Sequence, residues 1–307
     1  MKDLKKKVML CTLAGAFAIG GSAVALPDFN AVPAGLFFMQ RAEAAEGGLH
    51  WEDGKVVAVG YGVPPTGVYG ARANLLARRA AVVDAQRNLA EFIQGTQIDS
   101  ETTLLNYMTE NDTVKTRVSA LIQGAAIVEE ETMSDGSYRV TMSVPLYGAG
   151  KSISSAILPA LRENKEPLPP PVVVSPAPAT RQEIQDRVKN GTNYTGVIVD
   201  AGGMGLMASF SPVIYDTNGR AVYGIQNINY DRAISQGMVG YAKNVASAMH
   251  LSRVGSTPLV VKAVQVRGGR NSVNPVNVVV SVEDANRILL ANEKSNMLQG
   301  GSVVFVR

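Results

Sequence analysis

Cysteine is all but missing from this chain of 307 residues: the only one, Cys11, stands close to its start. The remainder can therefore form no disulfide and no thiolate metal site. Histidine is nearly as scarce, with His50 and His250 far apart. Two isolated histidines are a poor basis for zinc, and a serine triad needs a histidine held beside its nucleophile. No GxSxG, SxxK or DxDxDG-like loop occurs. An excess of one charge is also lacking. Five of the 29 basic and three of the 26 acidic residues fall within residues 1–44, leaving 24 and 23, a net of +1. A nearly neutral chain without a basic run carries no nucleic-acid footprint. With 46% hydrophobic and 18% charged residues, the balance is that of ordinary globular domains, and the length has room for two.

What is present begins with an export pattern. Lys2 to Lys7 form a positive start, and an apolar segment runs from Val8 to Leu26. Small-x-small sites follow at Ala23-Val24-Ala25 and Ala42-Glu43-Ala44. This order reads as a secretory signal over 1–44, cleaved between Ala44 and Ala45, with Ala25 as the alternative site. An uncleaved anchor is the competing reading, because the apolar run is near spanning length. Leu10 before Cys11 makes a poor lipidation box. Membrane contact is thus expected only through the signal segment, if it stays uncleaved.

Seven of the 15 prolines lie between Pro159 and Pro178. Proline cannot continue a helix or a central strand, so residues 163–180 read as an extended linker. The first domain spans 47–158. Lys55–Tyr61 reads as a strand ending in a turn-prone GVPPTG, and Ala71–Gln94, free of Pro and Gly, as a long helix. Ala73, Ala77, Ala81 and Ala85 make one stripe of that helix. Leu75, Val82, Leu89 and Ile93 are expected to form a larger one beside it, with Arg78 and Arg79 at its edge. Thr102–Met108 reads as a strand and Asp112–Ile122 as a helix capped by Asp112. Ala125–Met133 and Tyr138–Val144 flank the hairpin signal Ser134-Asp135-Gly136. The second domain spans 181–307: a short helix over Thr180–Val188, strands at Tyr194–Ala201, Ser211–Tyr215, Ala221–Tyr223, Pro258–Val266 and Val276–Val282, a helix at Glu283–Leu298, and a strand at Val303–Val306. The expected fold class is α+β, two domains of helices packed on a largely antiparallel sheet, joined by the proline-rich linker.

Gly60-Tyr61-Gly62 on a strand, the helix ARANLLARRAAVVDAQRNLAEFIQG from Ala71 to Gly95, and LIQGAAIVEEETMSDGSYRVTMSVPL from Leu121 to Leu146 together resemble the LPP-twenty lipoprotein family. A similar unit forms the N-terminus of the flagellar assembly protein T. The resemblance covers about a third of the chain and implies an envelope location without a known active-site set.

Three patterns invite a chemical reading. Glu129-Glu130-Glu131 are consecutive on a predicted strand, so they alternate faces and read as solvated charge. Gly202-Gly203-Met204-Gly205 follows a strand as a dinucleotide loop would, but leads into LMASFSPVIYD rather than a helix. Gly148-Ala149-Gly150-Lys151-Ser152 ends like a phosphate loop but lacks the first glycine of GxxxxGKS, and reads as an ordinary turn. No catalytic residue, cofactor-binding residue, metal ligand or cofactor is expected. The expected function is that of a non-catalytic structural or adaptor component, exported to the periplasm or outer envelope, with an association with the flagellum implied by the resemblance. Its partners would be other cell-envelope proteins. The alternative is a carboxylate-dependent hydrolase, or a binding protein, for an envelope polymer. The sequence leaves the oligomeric state open.

Overall fold

A computed structural model describes residues 47–161, 169–170, 193–269 and 274–307. The signal segment 1–44 with its Ala44–Ala45 cleavage site, the helix expected over Thr180–Val188, and all of the 163–180 linker except 169–170 lie outside the described residues.

The first domain is one antiparallel sheet in the order β1-β2-β4-β3. Its strands are β1 (Gly47–His50), β2 (Lys55–Gly62), β3 (Ala126–Thr132) and β4 (Tyr138–Pro145). The long helix α1 (Gly70–Gln94) lies across it. Ala73, Ala77, Ala81 and Ala85 are all buried against the sheet. The reason the helix comes so close is on β2. A Cβ built on Gly60 would stand 2.1 Å from the Ala85 nitrogen, and one on Gly62 would stand 2.0 Å from the Ala77 carbonyl oxygen. Backbone meets backbone there, and only glycine against alanine fits. Towards its C-terminus α1 widens its grip with buried Leu89, Phe92 and Ile93. Leu75, expected in the same stripe, is 64% exposed. It stands two residues, or about 200° of helical turn, from Ala73, which carries it to the solvent side.

The strand expected over Thr102–Met108 is a helix, α2 (Leu104–Glu110). The Thr103 hydroxyl accepts from the Asn106 amide at 3.3 Å, a capping bond that a strand could not use, and Leu104 and Met108 then bury one turn apart. Only the bridge between Gln97 and Thr103 stays strand-like. Helix α3 (Asp112–Gln123) is capped by Asn111, whose Oδ1 accepts from the Val114 amide at 3.1 Å. Asp112, expected as the cap, is the first helical residue, where its charge still favours the positive helix start. At the start of the domain, β1 pairs His50 with Lys55. Helix α4 (Ile153–Leu161) carries Pro159 inside it, so the fold runs past the boundary expected at 158.

The second domain holds two four-stranded sheets. One has the order β8-β12-β5-β9 and is parallel throughout. It consists of β5 (Gly196–Asp200), β8 (Gly240–Ala242), β9 (Pro258–Lys262) and β12 (Val303–Val306). The other has the order β10-β11-β6-β7, from β6 (Ile214–Asp216), β7 (Ala221–Tyr223), β10 (Gln265–Arg267) and β11 (Asn277–Val280). Its outer pairs are antiparallel and its central pair is parallel. The chain is α+β, with five of the nine described strand pairings antiparallel. All four parallel pairings belong to the second domain. β12 is buried at every position, as a strand covered on both faces must be. The single strand expected over Pro258–Val266 is divided between the sheets. The Ala263 amide donates to the Asp200 carbonyl at 2.8 Å, and the next amide, of Val264, donates to the Val279 carbonyl at 2.8 Å.

Among the described residues the domain also has the α-helices α5 (Tyr230–Gln236), α6 (Val245–Met249) and α7 (Val282–Ser295). Ser281 caps α7 by accepting from the Asp284 amide at 3.0 Å, and Asn296 ends it in the left-handed region at φ 51°.

The two domains share one contiguous buried cluster, which includes Val56 and Leu89 of the first and Val199 and Phe305 of the second. A smaller cluster around Ile198 and Val304 lies within the second alone. Trp51 stands at the junction. Its ring meets Phe210 edge-on at 5.0 Å and Tyr241 at 5.6 Å, while Tyr147 meets Phe210 at 6.2 Å. Backbone bonds sew the same seam: Ser211 N to Ile98 O at 2.7 Å and Gly148 N to Ile234 O at 2.9 Å.

Candidate interaction surface

β3 pairs with β4 on one side and with no strand on the other among the described residues. All seven of its residues are exposed, including Val128 and Ile127. The register shifts between Ile127 and Glu129, so Val128 is the extra residue of a bulge that bends the edge.

The three glutamates alternate faces as their spacing predicts. Glu130 reaches the α1 side, where its Oε2 accepts from Arg78 Nε at 2.8 Å. Glu131 pairs with Arg139 at 3.1 Å, and Glu129 approaches the same guanidinium at 3.8 Å. Each is an exposed ion pair of small energetic worth. They hold the edge's side chains in place and leave its backbone free to pair. The turn at its end is fixed by Asp135, whose carboxylate accepts from the Ser137 hydroxyl at 2.6 Å and amide at 2.9 Å. Those bonds hold the Asp135 carboxyl below its ordinary pKa.

The other residues singled out by sequence stay apart. His50 is exposed on β1 of the first domain, and His250 is exposed as the C-cap of α6 in the second. Among the described residues, no three of His, Cys, Asp and Glu gather as a metal site would require. Gly202–Gly205 is a turn in which the Gly202 amide donates to Asp200 Oδ1 at 3.0 Å. It continues into loop rather than helix, which leaves it without the helix N-terminus a phosphate needs. Gly148–Ser152 does enter a helix. There the buried Ser152 hydroxyl donates to the Gly148 carbonyl at 2.5 Å and accepts from the Ser155 amide at 3.1 Å. The serine is committed to capping α4.

Sequence reasoning passed over the solvent side of α1. Exposed Leu75 and Val83 alternate there with exposed Arg72, Arg79 and Arg87. The signal that could have found it is the helical angle opposite the alanine stripe.

Comparison with known families agrees with this architecture domain by domain. Residues 56–145 match the LPP20 lipoprotein family, and residues 196–307 match the second domain of Treponema pallidum Tp0624. No curated protein matches the chain. The first domain is an LPP20-type unit, followed by a Tp0624-type domain. The similarity of the first domain to LPP20 lipoproteins implies an exported, envelope-associated protein.

Proposed function

We propose that the protein is a non-catalytic adaptor of the cell envelope, and that it binds another envelope protein by accepting a strand onto the open edge of β3. The observation that carries this reading is the full exposure of all seven β3 residues beside an unpaired edge. An edge of this kind offers a row of backbone donors and acceptors to an incoming strand. Its chemistry selects the partner. A second copy pairing β3 to β3 would set Glu129, Glu130 and Glu131 against like charges, which destabilises cross-strand pairs. The incoming strand is therefore neutral or basic and comes from a different chain. Against a hydrolase stands the placement of these carboxylates: Glu130 is tied to Arg78 and Glu131 to Arg139.

The test is a photo-crosslinker at Val128 in the chain from Ala45 onward, exposed to envelope extract. One specific protein adduct is expected, lost when proline replaces single residues between Ile127 and Glu131 in variants that keep their circular dichroism. Adducts insensitive to every proline, or hydrolysis of peptidoglycan by the pure protein, would overturn the reading. An adduct with a component of the flagellar base would extend it to flagellar assembly.

A further inference from the structure

Helix α1 presents its alanines to the sheet and a different composition to solvent. Arg72, Leu75, Arg79, Val83 and Arg87 follow one another at spacings of three and four, which puts them on one face opposite the alanine stripe. All five are exposed. From Arg72 to Arg87 this face holds no acid. Asp84 turns aside and accepts from the Tyr61 amide at 3.0 Å, and Glu91 comes one turn later. Among the described residues none of the three arginines has an ion pair or hydrogen bond, in contrast to Arg78, which is held by Glu130. The loop that leads into the helix adds Val63 at 71% exposure and Tyr69 at 84%.

We infer that this face docks the protein on the surface of a bilayer containing anionic phospholipid. The arginines match the negative headgroup plane, and the apolar side chains between them enter the boundary below it. Tyr69 has the apolar body and polar tip that suit such a boundary. A protein partner would gather its anchors into one central pocket. Here cation and apolar side chains alternate along about 22 Å of helix, the arrangement suited to a flat, laterally mobile anionic surface. The match to an envelope-associated lipoprotein class puts such a surface within reach. Among the described residues no helix is long and apolar enough to cross a membrane, so the contact is peripheral. It lies outside the signal segment, the one place where the sequence led us to expect membrane contact.

The experiment is co-sedimentation of the chain from Ala45 onward with vesicles of phosphatidylcholine alone and of phosphatidylcholine and phosphatidylglycerol in equal parts. Partition into the anionic vesicles alone is expected, weakening as salt rises. Arg72→Gln, Arg79→Gln and Arg87→Gln together lower it about a hundredfold, near fivefold for each arginine. Tyr69→Ser with Leu75→Ser also lowers it while leaving its salt dependence unchanged. These side chains are exposed, so circular dichroism should not change. The inference is overturned by absence of partition, by equal partition into both vesicles, or by a triple arginine variant that binds as well as the parent. The Val128 crosslink serves as a separate readout, because the arginine variants leave β3 untouched.

Discussion

The first domain has one antiparallel sheet, with α1 laid across it and β3 open along its outer side. The second has two sheets in which β5 and β12 are flanked by strands on both sides. Sequence chemistry underlies the contrast. β3 holds three glutamates in a row, whereas β12 reads Val-Val-Phe-Val and is wholly buried. A strand that carries charge on both faces must stay at an edge, and one with none can be central.

The comparison would break most visibly at Gly60. Gly60→Val should cost more than about 4 kcal/mol, because its Cβ meets the Ala85 backbone at 2.1 Å rather than a movable side chain. Gly203→Ala in the second domain meets nothing within 4 Å. It bears only the strain of φ 75°, of order 1 kcal/mol. Urea unfolding of the two variants measures the difference, and equal midpoints would contradict the backbone contact between α1 and β2.

Next in size is the seam. Trp51→Ala should cost about 3–5 kcal/mol and uncouple the two halves. Limited proteolysis is expected to cut first within 163–180. The parent halves should then co-elute from a sizing column, whereas the Trp51→Ala halves separate. Parent halves that part on cutting would restore two independent cores.

The smallest effect is one of pH. Burial pushes the Tyr241 phenol up to about 12, and raises Tyr147 and Tyr223 further. An unfolded tyrosine ionises near 10. The fold favours the neutral phenol, so this contribution is whole below about pH 10. It is lost as pH rises towards 12, because only the unfolded chain releases the proton there. Tyr241 alone accounts for roughly 2–3 kcal/mol across that window. Urea midpoints should fall over it, with tyrosinate absorbance appearing together with unfolding. Tyr241→Phe should flatten the fall at some cost from the lost bonds to Ser209, at 2.9 and 3.0 Å.

Much of this plan was legible in the residues. The β3–β4 hairpin announced itself through Ser134-Asp135-Gly136, and α1 through a run free of proline and glycine. What escaped depended on partners distant in the chain. Thr102 and Thr103 look like strand residues until the Thr103 hydroxyl finds the Asn106 amide. The run from Pro258 to Val266 has uniform β character, and only its separate partners, Asp200 and Val279, divide it. Trp51, Tyr147, Phe210 and Tyr241 show no common spacing, so their meeting could not be read from pattern. At the candidate site, the alternation of the glutamates was legible. The exposure of Leu75 was open to the same helical arithmetic, but attention to its hydrophobicity hid it.

The placement of β12 also bears on the order in which the chain acquires its shape. β5 lies between β12 and β9, and β8 has β12 as its neighbour in the sheet. Synthesis delivers β5 first, but it must wait across nearly the whole second domain for the strand that completes it. Contacts of such long sequence separation form slowly. Until β12 is made, the sheet lacks its centre, and β8 has no strand to pair with.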